Sequence, residues 1–328
     1  MKTLIMLAGL TVFLIPTTGC VTFLPTDFLS GFALNPAATC DELTVQLHLG
    51  TLPSVSSPAD VGLQSESLFI QSRNGRQLHA WFVPAQSDGE LDAAAKGTVL
   101  ILHGTDGTLT CALPWVLVAA CNHMHAVVFD YQGYGQSEGT PDIATLLDDG
   151  EAVLAWIVSD DAAARQKVHL LGTSLGTGPA LGLAALRPQP QLQSVVLDGA
   201  WDPEETVSAV EAEVCSLFPL FGLSTRLGFL WLFETRDALG EMTLPALFIH
   251  AENDLRTPLS GANTMYELVG SLAKSFWLFE DMTHIQPLFL AEDAYVSLVV
   301  TLWRSPAGAP SPAAAETDQT ICVPAFSP

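Results

Sequence analysis

The chain has 328 residues, 49% hydrophobic and 14% charged, and its 35 acidic and 12 basic residues give a formal net charge of −23. That is enough apolar material for one large domain, and the low charge fraction excludes global disorder. A chain this acidic has no sequence-wide basic footprint for nucleic acid, and an anionic membrane surface would repel it.

The first twenty residues differ from the rest. Lys2 supplies a positive charge, Leu4 to Ile15 is an apolar run of twelve, and Pro16-Thr17-Thr18-Gly19-Cys20 follows. A basic start, a short apolar centre and small residues before a cut predict a secretory signal over residues 1–19. A run of twelve is too short to span a bilayer comfortably. Thr-Thr-Gly-Cys resembles a bacterial lipobox, with Thr17 where Leu is usual. That resemblance implies lipidation of Cys20, an N-terminal membrane anchor and a place in a bacterial cell envelope. The alternative is an ordinary signal peptide cut nearby, with Cys20 incidental. Residues 20–64, rich in Pro, Thr and Ser up to about residue 58, read as a linker or irregular extension.

From residue 65 the pattern becomes regular. Strands are predicted over 67–72 and 77–83 around an Asn74-Gly75 turn. Residues 97–103 form an almost continuous apolar run, as a parallel strand buried on both faces requires. Strands over 126–130, 167–171, 194–197, 247–250 and 276–279 then alternate with helices over 144–158, 178–186, 261–272 and 291–303. This alternation predicts an α/β fold with a mostly parallel, doubly wound sheet over residues 65–304. Residues 201–242 insert about forty residues between consecutive strands, with a strongly apolar centre. An insertion of that length reads as a short helical cap over the site, with plain core packing as the alternative. Residues 305–328 form a Pro/Ala-rich tail expected to be weakly ordered.

Six cysteines are present. Without Cys20 five remain, so at least one thiol stays free or pairs between chains. Cys40 and Cys322, both in terminal extensions, are the first expectation for a pair. Cys111 and Cys121 are expected to share a helix, roughly 15 Å apart and unable to bond to each other. No spacing matches a zinc site.

The chemistry centres on Gly172-Thr173-Ser174-Leu175-Gly176. A predicted strand precedes it and a predicted helix follows, the context a nucleophile elbow needs. A serine hydroxyl is a poor nucleophile until a base takes its proton, and that base follows an acid in the chain. Asp254 stands after the strand over 247–250, and His284 after the last strand, so Ser174, Asp254 and His284 arrive in order at C-terminal strand ends. Asp198 and Glu252 are rivals for the acid. His48, His79, His123, His125, His169 and His250 read as core or surface histidines. An oxyanion needs preorganised donors, expected from the backbone N–H of Leu175 and of Thr105 in His103-Gly104-Thr105-Asp106-Gly107. His103 reads as structural, orienting that loop. Asp106 would set a negative charge against the oxyanion unless it points away.

Leu102-His103-Gly104-Thr105, Asp130-Tyr-Gln-Gly-Tyr-Gly-Gln-Ser137, the elbow, and Asn253-Asp254-Leu-Arg-Thr-Pro258 with Thr283-His284 together resemble the α/β-hydrolase superfamily. More narrowly, the chain is similar to depalmitoylase-like and monoacylglycerol-lipase-like serine hydrolases. The resemblance implies cleavage of a carboxylic ester or thioester in a small acyl substrate through an acyl-enzyme, with no metal or organic cofactor. It assigns the Asp130 segment a structural role, bracing a loop near the site. A peptidase or amidase on the same residues, or a non-catalytic envelope lipoprotein, are the alternatives. Oligomeric state and acyl chain length are not written in these motifs.

Overall fold

The structure, a computed structural model, describes residues 4–7, 10–13, 34, 36, 56–87, 90–159, 164–206, 230–306 and 322. Apart from a short antiparallel pair, Leu4–Leu7 with Leu10–Phe13, the segments expected to be a signal and a linker lie mostly outside them.

One eight-stranded sheet organises the domain. Its strands are β1 (Glu66–Gln71), β2 (Gln77–Val83), β3 (Gly97–Leu102), β4 (Met124–Phe129), β5 (Val168–Thr173), β6 (Leu192–Asp198), β7 (Ala246–Ala251) and β8 (Lys274–Phe279). They lie in the order β8-β7-β6-β5-β3-β4-β2-β1. β3 to β8 pair in parallel, while β1 and β2 form an antiparallel hairpin whose β2 pairs antiparallel with β4. The hairpin turns where the sequence predicts it, with Gly75 at φ 87°, a left-handed conformation open to glycine.

Among the described residues, six helices of nine or more residues cover the sheet: α1 (Leu113–Cys121), α2 (Leu146–Val158), α3 (Thr177–Leu186), α4 (Leu230–Ala238), α5 (Leu259–Leu268) and α6 (Glu292–Arg304). Alternation along β3 explains the two layers. Leu100 and Leu102 join one buried cluster with residues of α2, α3, α4 and α5, while Val99 and Ile101 join another with α1 and α6. Both faces being covered, every residue of β3, β5 and β7 is buried, which is why β3 reads as an almost continuous apolar run; in β5 and β7 one histidine each, His169 and His250, interrupts the run.

Three expectations need adjusting. α5 ends at Leu268 rather than at residue 272; Gly270 turns the chain, donating its N–H to Leu239 O across 2.8 Å. Cys111 lies in the 3-10 turn Leu109–Ala112 just before α1 rather than in that helix. Cys322 bonds to Cys121, not to Cys40. The buried Asn122 amide adds to that tether: Nδ2 donates to Cys322 O at 2.7 Å and Oδ1 accepts from Cys322 N at 2.9 Å. Cys111 is also disulfide-bonded.

Of the expected cap, residues 207–229 lie outside the described residues. The described end is core packing. α4 lies on α3, where a Cβ on Gly178 would stand 3.2 Å from Leu232 and 3.6 Å from Trp231. The Trp231 indole N–H donates to Ile143 O at 2.9 Å, and Arg236 pairs with Asp202 at 3.1 Å.

Candidate active site

The parallel strands all deliver their C-terminal ends to one edge of the sheet. There β5 runs directly into Ser174, whose φ is 51°, a strained value for a residue with a side chain. The glycines permit the turn. A Cβ on Gly172 would stand 2.5 Å from Gly176 O, and one on Gly176 would collide with the Leu102 and His103 carbonyl oxygens. Gly104 closes in from the neighbouring loop, where a Cβ would lie 3.3 Å from the Ser174 Cβ.

The three residues expected to act together do meet. Ser174 Oγ lies 2.9 Å from His284 Nε2, and His284 Nδ1 lies 2.6 Å from Asp254 Oδ2. Asp254 and His284 are both buried. Burial disfavours the Asp254 carboxylate, yet the His284 ring and the Thr257 donors outweigh it and hold its pKa below the usual carboxylate value. An ionised Asp254 accepts the Nδ1 proton, leaving Nε2 as acceptor for the Ser174 hydroxyl. Ile285, just past the imidazole, also has a left-handed φ, 50°, so the loop is bent sharply on both sides of the contact.

Thr257 was not singled out by sequence reasoning. Its N–H donates to Asp254 Oδ1 at 2.9 Å, its hydroxyl donates to Oδ2 at 2.8 Å, and Arg256 N donates to Oδ1 at 2.9 Å. The signal was available: an Asp followed by a Thr three residues on is the pattern of a carboxylate folding back on its own loop. Of the rival acids, Asp198 ends β6 but its carboxylate accepts the Tyr295 hydroxyl at 2.9 Å, and the Tyr295 oxygen accepts the Trp115 indole N–H at 2.9 Å. Burial pushes the Asp198 carboxyl up to about 7. Glu252 accepts the Asp281 N–H at 3.1 Å.

The loop after β3 is braced as expected. His103 Nδ1 donates to Gly104 O at 2.8 Å, its ring is packed against Tyr131 and Tyr134, and burial lowers its pKa. The Tyr134 hydroxyl donates to Thr105 O at 3.1 Å. Asp130 holds the same region through its Oδ1, which accepts Leu109 N at 2.7 Å, and its main-chain oxygen, which accepts the Ser137 hydroxyl at 2.6 Å. The other described histidines sit in structural contacts: His79 with Ser67, His169 with Ser194, His125 with Ala85 and His123 with Asp92. His250 donates to Thr257 O at 2.9 Å and so lies under the Asp254 loop. His48 and Cys20 lie outside the described residues.

A cavity of about 30 Å³ opens at Ser174 and is lined also by Thr105, Asp106, Trp115, Arg256 and His284. That volume holds one or two waters. Asp106 does not stand alone against it, because Arg256 Nη1 pairs with its Oδ2 at 2.7 Å.

Residues 97–228 match the family described as alpha/beta hydrolase fold. The chain is similar to the uncharacterized protein YfhR of Salmonella typhimurium, 30% identical over 252 residues that cover 74% of this chain and 79% of that protein. It is similar to protein bem46 of Schizosaccharomyces pombe, 24% identical over 238 residues covering 72% and 76%. Among solved structures, the Pyrococcus furiosus esterase Pf2001 shares the fold with a TM-score of 0.62 at 17% identity, over 83% of this chain and 97% of that one.

Proposed function

Because the chain belongs to the α/β-hydrolase superfamily, we propose that it is a serine hydrolase that cleaves carboxylic esters or thioesters through an acyl-enzyme. The observation that carries this reading is the unbroken contact from Ser174 Oγ through the His284 imidazole to Asp254, 2.9 Å and then 2.6 Å. In the reaction His284 Nε2 takes the Ser174 proton as Oγ attacks the substrate carbonyl. Asp254 holds the imidazole tautomer and stabilises its cation. The backbone N–H groups of Thr105 and Leu175 receive the oxyanion. His284 then protonates the leaving group, and water, deprotonated by the same nitrogen, releases the acid and restores Ser174. Trp115, Ala112 and Ile285 give the cavity apolar walls suited to an acyl group.

The test is labelling of the folded protein with a fluorophosphonate, followed by p-nitrophenyl esters of increasing acyl length. Wild type should label and turn over, and Ser174→Ala should do neither. Turnover that persists in Ser174→Ala, or folded wild type that does not label, would overturn the reading. Preference for anilides over matched esters would replace it with an amidase.

The same chain acts, in this proposal, outside the cytoplasm, held to a bacterial envelope membrane through lipid on Cys20. The Lys2 start, the apolar run and Thr-Thr-Gly-Cys support this, as does the Cys121–Cys322 disulfide, since such bonds persist in oxidising compartments. Labelled palmitate should enter wild type expressed in a bacterium and not Cys20→Ser; equal incorporation would refute the anchor.

A further inference from the structure

Asp106 stands next to Thr105, the proposed oxyanion donor, and both line the cavity at Ser174. Its side chain is only 8% exposed, so water screens its charge poorly. A carboxylate so placed opposes the negative charge that forms on the substrate carbonyl. The partner that answers it comes from the opposite side of the site. Asp106 belongs to the loop after β3, and Arg256 to the loop after β7 that also supplies Asp254 and Thr257. In the sheet β5 and β6 lie between those strands, a separation of roughly 14 Å at three strand spacings. The ion pair at 2.7 Å therefore joins loops that meet past the nucleophile's strand.

We infer that Arg256 is a positioning residue for acyl transfer: it neutralises Asp106 and ties the oxyanion loop to the acid loop, so that Thr105 N–H is presented to an oxyanion without an opposing charge. The inference rests on the serine hydrolase reading and adds to it a charge pair on which the rate depends. Exposed ion pairs contribute little, but removing one partner from a pair with a buried member leaves an uncompensated charge. Here that charge would fall beside the reacting atoms.

The experiment compares wild type, Arg256→Gln, Asp106→Asn and the double variant by rate of fluorophosphonate labelling and by steady-state turnover of a p-nitrophenyl ester. Arg256→Gln should lower the labelling rate and kcat by about 10- to 100-fold with a much smaller change in KM. The double variant should recover most of the loss, which a merely structural role for Arg256 would not produce. Arg256→Lys, which keeps the charge, should retain most of kcat and serves if Arg256→Gln does not fold. Arg256→Gln at wild-type rates, a double variant as slow as Arg256→Gln, or Arg256→Lys that folds yet has lost most of kcat would overturn the inference while leaving the serine hydrolase reading intact. Wild type that does not label would overturn both.

Discussion

The Tyr295 hydroxyl donates to the Asp198 carboxylate across 2.9 Å, so one of the two acids at the sheet edge is engaged there while the other, Asp254, meets the imidazole. Asp198 ends β6 and Asp254 follows the adjacent β7, so both arrive at the same edge of the sheet. Only Asp254 reaches His284, at 2.6 Å. Tyr295, itself held by Trp115, occupies Asp198 from α6.

Replacement of the two acids should therefore give opposite results. Asp254→Asn should lower kcat by roughly 10⁴-fold, because the amide favours the wrong imidazole tautomer. Asp198→Asn should leave kcat close to wild type. Matched losses in the two variants, read from steady-state ester hydrolysis, would contradict the assignment.

Thr257→Val removes a hydroxyl that donates to Asp254 Oδ2 while keeping the volume. The expected loss in kcat is about tenfold, equivalent to about 1.4 kcal/mol for a hydrogen bond to a charged group. Pre-steady-state acylation kinetics should locate that loss in chemistry rather than in binding. An unchanged acylation rate would mean the backbone donors alone hold the carboxylate.

Stability should depend on pH through Asp198. Burial raises its folded pKa to about 7 from an ordinary value of 3.8. The folded chain thus binds this proton more tightly than the unfolded chain. The stability so gained is complete below about pH 4 and is lost as pH rises through about 7. Urea midpoints at pH 5 and pH 8 should differ more in wild type than in Asp198→Asn, which still accepts from Tyr295. Equal pH dependence in the two chains would rule this contribution out.

Two glycines should respond differently to alanine. At Gly176 the added methyl meets the Leu102 carbonyl, so Gly176→Ala should destabilise by about 1–3 kcal/mol or more and abolish labelling of Ser174. At Gly75 nothing lies within 4 Å, and only the left-handed φ resists, at a cost of about 1 kcal/mol with activity kept. Thermal unfolding and fluorophosphonate labelling of both variants check the contrast.

Cys322→Ser should lower stability by about 2–5 kcal/mol, because the bond closes a long loop between residues 201 apart in the chain, and reduction of wild type, which also opens the bond at Cys111, should lower it at least as far. Denaturant unfolding with and without reductant measures it. Cys40→Ser should not free the Cys322 thiol, as thiol-specific alkylation and peptide mapping would show.

Much of the fold and most of the site were legible because they are local. The elbow is five adjacent residues between a buried strand and a helix, and Asp254 and His284 each follow a strand whose apolar run marks its end. Alternation of strands and helices then places such ends on one edge. What was not legible depends on partners distant in the chain. Nothing near Asp106 names Arg256, 150 positions away, and nothing near Cys322 prefers Cys121 to Cys40. Those pairings follow from sheet order and from Cys322 lying against the last residue of α1 and Asn122. Tyr295 is equally silent in sequence, an apolar-looking position on an amphipathic helix whose hydroxyl proves to hold a buried acid.

The Cys121–Cys322 tether also has a mechanical meaning. α1 descends from the edge that carries Ser174 to the edge where β4 begins at Met124, and Cys121 is its last residue. Pulling on Cys322 therefore loads α1 and the far end of the sheet. The elbow lies at the opposite edge, so a tag, a surface or a neighbouring molecule attached beyond Cys322 would draw first on α1 and β4, and on Ser174 only through the cavity wall that the start of α1 supplies.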